Sequence, residues 1–179
     1  MNEGLISGRY AKALYKHCLE AGNAAQVYAQ MTQLANTFES EKLLQSTVDN
    51  PYLLPADKQR LLLTAAGADK GGSVDKFVLL LIKNNRVNLI RTMALSFGDI
   101  YRKANSIARV VITTAADIDE KELSKIKNIV QKHVADKTIE LSHVVNPDLI
   151  GGFTVTVDSQ MLDASVRNQL KNLRLKLLS

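Results

Sequence analysis

Ser106-Ile107-Ala108-Arg109-Val110-Val111-Ile112-Thr113-Thr114 is the stretch on which the reading of this chain turns. Its β-branched residues suit the pleated, half-buried surface of a sheet, so a strand is expected over 107–114. Upstream of it the apolar residues recur at helical spacing, and downstream they alternate between strand and helix patterns. The expectation is an α+β chain: an N-terminal domain over 1–105 built as a six-helix bundle, then a small C-terminal α/β domain over 106–179. Lys103–Ser106 is the expected join.

Working back from residue 106, Ile90, Met93, Ala94, Phe97, Ile100, Tyr101 and Ala104 share one helix face. A fifth helix is expected over Val74–Asn84 with Ser73 as its cap, after breaks at Gly67 and Gly71-Gly72. Pro55-Ala56-Asp57 opens a fourth helix that runs to about Ala66, with proline at its first position and an acid in its first turn. Ser40 is expected to cap a short third helix that Asp49-Asn50-Pro51 ends, since a residue before proline avoids helical angles. Gly22-Asn23 reads as a helix stop followed by a cap, separating helix 1 (Tyr10, Leu14, Cys18, Ala21) from helix 2 (Val27, Met31, Leu34, Phe38). Short connections between short helices make an antiparallel bundle.

Working forward, Asp117 or Asp119 is expected to cap a helix through about Val134, with Leu123, Ile126 and Val130 inward. Thr138–Val145 reads as a second strand, Asn146-Pro147-Asp148 as a turn, Phe153–Val157 as a third strand and Met161-Leu162 as part of a fourth. The last helix, from about Ala164, carries Val166, Leu170, Leu173 and Leu177 on one stripe. That stripe is expected to cover the sheet, leaving Leu175 and Leu178 for a partner. Gly151-Gly152 precedes a strand, where missing Cβ atoms permit a tight bend.

The 179 residues are 46% apolar and 23% charged, which excludes wholesale disorder. One cysteine, Cys18, excludes an internal disulfide and any multi-cysteine metal framework, and its place on an apolar stripe suits a small core residue. No stretch is apolar enough to span a membrane, and residues 1–8 carry neither a secretory signal nor a transit-peptide pattern. Net charge is +5, but Lys and Arg are scattered among acids and nowhere do five basic residues run together, which argues against direct nucleic-acid binding.

Catalytic chemistry is hard to place. The phosphate-cradling pattern G-x-x-x-x-G-K-[ST] is absent, and His17, His133 and His143 have no metal-ligand spacing. Asp117, Asp119, Glu120 and Glu122 cluster where acids favour a helix start on electrostatic grounds alone. No catalytic residue, cofactor or metal is expected. The informative feature is surplus apolar surface on two helices. Helix 1 has Tyr10, Ala13, Leu14 and Cys18 on one stripe with Ala11, Tyr15 and Leu19 beside it, and Phe77-Val78-Leu79-Leu80-Leu81-Ile82 is apolar all round. Either these helices are central in the bundle, or they line a groove that receives a partner helix.

The sequence also resembles a known family, the delta subunit of F-type ATP synthases (the oligomycin-sensitivity-conferring protein of mitochondria). The resemblance runs from Gly8-Arg9-Tyr10-Ala11-Lys12-Ala13-Leu14-Tyr15 through Asn50-Pro51, Lys58, Leu61-Leu62 and Asn84-Asn85-Arg86-Val87. It continues over Asn146-Pro147-Asp148-Leu149-Ile150-Gly151-Gly152-Phe153 and Asp163-Ala164-Ser165-Val166-Arg167. Two departures are Ala164, where the family usually has Gly, and Asp158-Ser159, near which Gly is frequent.

The resemblance implies a non-catalytic stator subunit that joins the catalytic head to the peripheral stalk and resists rotor torque. It implies that an alpha-subunit N-terminal helix binds between helices 1 and 5, through Tyr10, Ala13, Leu14, Phe77, Leu80 and Leu81. The C-terminal domain would meet the C-terminal region of the b subunits, with Leu175 and Leu178 as contacts and Gly151 and Gly152 structural. The beta subunit is a further implied partner. The chain would be a monomer within the complex, peripheral to the cytoplasmic side of a bacterial inner membrane, with no direct membrane insertion and no nucleic acid. The alternative of another class is a basic RNA- or ribosome-associated adaptor.

Overall fold

The chain divides into two compact units, Met1–Tyr101 and Arg102–Ser179. The computed structural model describes residues 3–116, 119, 124, 131, 137–158 and 160–178. The helix expected over 117–134, with Leu123, Ile126 and Val130, and most of its acidic cluster lie outside the described residues.

In the first unit α1 (Glu3–Glu20), α2 (Ala24–Ser40), α3 (Lys42–Asp49), α4 (Pro55–Ala66) and α5 (Ser73–Lys83) precede a 3-10 turn at Val87–Leu89 and α6 (Ile90–Ala104). One apolar core joins them, with Met31, Leu34, Leu62, Leu81, Ile90, Met93 and Phe97 essentially removed from water. Each such side chain contributes about 1.5–3 kcal/mol of apolar burial. Two residues of the second apolar stripe of α1 have their explanation here, while the third, Leu19, stays exposed. Ala11 is fully buried, and Tyr15 sets its ring edge-on to Phe97 and Tyr101, with centroids at 6.1 and 6.4 Å.

Two expected caps are corrected. Ser40 is the last residue of α2 and its hydroxyl bonds back to the Thr37 carbonyl, while Glu41 stands at the N-cap of α3. Ser73 is the first residue of α5 after Gly72, and its Oγ accepts a hydrogen bond from Asn23 Nδ2 at 2.8 Å. Asn23 holds the N-cap position of α2, yet its side chain goes to Ser73 instead of to its own helix. In both serines a competing partner outranks the local cap. The Asn84-Asn85-Arg86-Val87 turn has a simple cause. Asn85 ends α5 at φ +52°, with Arg86 N–H bonding to the Leu81 carbonyl and Asn85 N–H to that of Ile82. Asparagine tolerates that left-handed position better than most side chains.

The second unit holds a four-stranded mixed sheet in the order β2-β1-β3-β4. Here β1 is Ile107–Thr114, β2 Thr138–Val145, β3 Phe153–Val157 and β4 Gln160–Asp163, and α7 (Val166–Leu178) follows. β1 pairs in parallel with β2 and antiparallel with β3, which pairs antiparallel with β4. Alternation along β1 buries Ala108, Val110, Ile112 and Thr114 on one face, with Ile139, Leu141, Phe153, Val155 and Val157 in register on the same side. Thr114 Oγ1 donates to the Ala116 carbonyl at 2.6 Å, so its one proton is used. His143 Nε2, 2.8 Å away, therefore carries the hydrogen it shares with Thr114 Oγ1.

The departure at Asp158 is visible as geometry, because that residue sits at φ +51°. Its carboxylate accepts from Arg109 N–H at 3.2 Å and pairs with Lys137 at 3.2 Å, which offsets part of the strain glycine would avoid.

Candidate functional site

Helix α1 presents Tyr10, Ala13, Leu14 and His17 along one line, the i, i+3, i+4, i+7 spacing of a single helix face. Opposite them α5 presents Ser73, Lys76, Phe77 and Leu80, and the two rows enclose an open cleft of about 180 Å³. Leu14 and Phe77 form its floor, at 4% and 6% exposure, whereas Leu80 on the rim stays 46% exposed. Five of the six residues expected to meet a partner helix thus converge on one cleft. The sixth, Leu81, does not. It is fully buried in the core, because a one-residue step turns a side chain about 100° around the helix.

Polar contacts fix the spacing of α1 and α5 at both ends. At one end Tyr10 meets Phe77 edge-on at 6.4 Å, accepts from Asn84 Nδ2 at 3.0 Å, and lies under the Arg86 guanidinium at 5.6 Å. Such aromatic and cation–π contacts contribute about 0.5–1.5 kcal/mol each. At the other end Asn23, just past α1, donates to Ser73, while the buried Asp75 ties α5 to its preceding turn and to α4, accepting from the Gly71 N–H at 2.8 Å and from Gln59 Nε2. These bonds, the Gly71 amide first, hold the Asp75 carboxyl below its ordinary range. His17, Ser73, Lys76, Asn84 and Arg86 are not predicted by the apolar stripes. The signal for Asn84 and Arg86 is the Asn84–Val87 stretch itself.

A second, larger cleft of about 580 Å³ lies in the same unit, among residues that include Pro51, Lys58, Asn85 and Val87. Those are residues of the stretches that carry the resemblance, so the Asn50-Pro51 and Asn84–Val87 turns come together in space. Cys18 is fully buried, and burial pushes its thiol up to about 11. Among the described residues no three His, Cys, Asp or Glu side chains converge as a metal site would require.

In the second unit Gly152 takes φ +73° and faces the Ala164 carbonyl so closely that a Cβ there would lie 2.4 Å from that oxygen. Gly151 accepts from the Val166 N–H at 3.0 Å. Leu175 is 57% exposed, and the side chain of Leu178 lies outside the described residues. The expected covering stripe is corrected. Leu170 and Leu173 remain 52% and 55% exposed, and among the described elements α7 packs on the Pro147–Leu149 turn.

Comparison with known proteins now decides the family. The family model for the ATP synthase delta (OSCP) subunit matches residues 6–177. The chain belongs to the ATP synthase delta (OSCP) family. "ATP synthase subunit delta" of Parabacteroides distasonis is 34% identical over 178 residues, covering 99% of this chain and 98% of that one. The protein of that name in Desulforamulus reducens is 28% identical over 179 residues, covering 100% and 98%. A chain of the Toxoplasma gondii mitochondrial ATP synthase hexamer has the same fold, with TM-score 0.74, 22% identity and 97% coverage of each chain. Family membership makes the chain a peripheral-stalk, or stator, subunit of the F-type ATP synthase, associated with the membrane through that complex. That reading replaces the RNA- or ribosome-associated adaptor. No described helix is long and apolar enough to cross a membrane.

Proposed function

We propose that residues 1–105 form a six-helix bundle that grips the catalytic head, and that the α1/α5 cleft receives the N-terminal helix of an alpha subunit. The observation that carries this is the convergence of Tyr10, Ala13, Leu14, Phe77 and Leu80 on one apolar cleft whose rim is open and whose ends are pinned. A helix seated there would cover Leu80 and lie over the buried floor, the helix-in-groove mode. Because the cleft is preformed, binding orders little of this chain, which preserves affinity.

In the same reading residues 106–179 engage the C-terminal region of the b subunits, and contact with the beta subunit is accommodated. The chain acts as a monomeric mechanical link without a catalytic site, cofactor or nucleic acid, on the cytoplasmic face of a bacterial inner membrane. Its contribution to ATP synthesis is to keep the head from turning with the rotor.

Disulfide trapping tests the groove. Ala13→Cys lies in the cleft while native Cys18 is buried, so only the new thiol is accessible. Synthetic peptides of the alpha N-terminus, each with one cysteine, should cross-link to Ala13→Cys with a helical periodicity along the peptide. Tight peptide binding with no cross-link at any register would place the helix elsewhere.

A further inference from the structure

α7 is held firmly at its start, and among its described side chains Leu170, Leu173 and Leu175 stand exposed. Ser165, 1% exposed, accepts at Oγ from the Asn168 N–H at 3.2 Å, and its own N–H donates to Asp163 Oδ1 at 2.9 Å. That is an N-cap locked from both sides. Val166 N–H reaches the Gly151 carbonyl, and the Ala164 carbonyl fills the space a side chain at Gly152 would need. The Gly151-Gly152 bend and the Asp163–Ser165 cap thus set the direction in which α7 leaves the sheet. Beyond its first turn, Leu170 and Leu173 stand more than half exposed.

The charges on this helix have one sign. Val166–Leu178 contains Arg167, Lys171, Arg174 and Lys176 and no acid. At about 100° per residue, Val166, Leu170 and Leu173 fall in one stripe about 60° wide. Arg167 and Arg174 lie roughly 70–90° to one side of it. Leu175 lies about 170° away, on the opposite side of the helix.

We propose that Leu170 and Leu173, with Arg174 beside them, form a docking stripe for an amphipathic helix that carries Asp or Glu along the edge of its apolar face that meets Arg174. This rests on the reading of the second unit as the stalk-binding one, and it moves the contact from Leu175 to the opposite side of α7. The chemistry favours a helix over other anionic partners. A phosphate backbone would engage the cations and leave the leucines in water. A helix lying in a lipid surface gathers its apolar residues on one face, whereas Leu175 stands 57% exposed on the side of α7 opposite Leu170 and Leu173. An apolar stripe with Arg174 along its edge is complementary to a helix with an acidic edge.

The test is a calorimetric titration of the full-length chain with a soluble fragment spanning the C-terminal region of the b subunits. Leu170→Asp and Leu173→Asp should each weaken binding more than about tenfold, because a carboxylate would be desolvated against apolar surface. Arg174→Glu should weaken it several-fold at about 50 mM salt and much less at about 500 mM, where screening takes over. Leu175→Asp should stay within about twofold of wild type. Arg167 is left unchanged because its charge also helps hold the Asp163 carboxyl low, after the two Ser165 contacts. Leu170→Ser and an unchanged circular-dichroism spectrum and thermal melt of each variant guard against misfolding of the second unit as the cause. Wild-type affinity in both leucine variants, or damage confined to Leu175→Asp, overturns the stripe. Indifference to Arg174→Glu and to salt overturns the acidic partner. Binding to phosphatidylglycerol-containing vesicles that is lost in the leucine variants, with b binding unchanged, assigns the stripe to lipid and overturns the proposal. If the wild-type chain does not bind the b fragment at all, the stalk reading fails together with it.

Discussion

Replacing Leu80 by Asp separates the rim of the α1/α5 cleft from its core. Leu80 is 46% exposed in the free chain, so about half of its side chain is left for a partner to cover. Full burial of a leucine is worth about 1.5–3 kcal/mol, which leaves roughly 1 kcal/mol to be gained on binding. Introducing a carboxylate adds the cost of dehydrating it beside Phe77 and Leu14, at least about 1–3 kcal/mol by mutational measures for buried polar groups. The sum of about 2–4 kcal/mol corresponds to a loss of affinity of roughly 30- to 1,000-fold. Folding should suffer little, since the carboxylate can turn to water in the free chain. Leu81→Ala, one residue on, should do the reverse, destabilising the first unit by about 2–5 kcal/mol. The assay is fluorescence anisotropy of a labelled alpha N-terminal peptide, with a thermal melt of each variant. A folded Leu80→Asp chain that binds the peptide within twofold of wild type would refute the reasoning.

Three further outcomes follow from particular contacts. Asp75→Asn should cost about 1–3 kcal/mol at neutral pH by weakening the bonds from Gly71 and Gln59. Because the folded state lowers the Asp75 pKa, the wild type keeps that contribution above the unfolded value near 4 and loses it as pH falls through the folded value; denaturant titrations at pH 7 and pH 3 should show the two proteins converging at acid pH. Gly152→Val should weaken binding of the b fragment by disturbing the α7 cap while alpha-peptide affinity is unchanged, and joint loss of both partners would contradict independent units. Native Cys18 should resist iodoacetamide at pH 8 and react once the chain is unfolded in urea; rapid labelling of the native protein would contradict its burial.

Periodicity is enough for the architecture but not for every assignment of faces. The switch of apolar spacing at Ser106 marks the change from helix to sheet, and the Tyr10/Leu14 and Phe77/Leu80 rows identify the cleft. Leu80 and Leu81 cannot be told apart in sequence, since both sit in an unbroken apolar run and only the packing of α5 against its neighbours, α2 and α4 among them, decides which is core. The caps at Ser40 and Ser73 fail for a related reason: partners close at hand and far along the chain compete, and Asn23 lies 50 residues from Ser73. Leu170 and Leu173 form a regular stripe, but a stripe records that something apolar is to be covered and not whether this chain supplies the cover.

The central claim is that this chain bridges the catalytic head and the stalk through separate units. It is tested most directly by co-sedimentation of a soluble b fragment with head particles stripped of their delta subunit. The account predicts that the b fragment pellets with the head only when this chain is added, and that Leu80→Asp and Leu170→Asp each abolish the bridge from opposite ends. Pelleting of the b fragment without this chain, or undiminished pelleting with both variants, would contradict it.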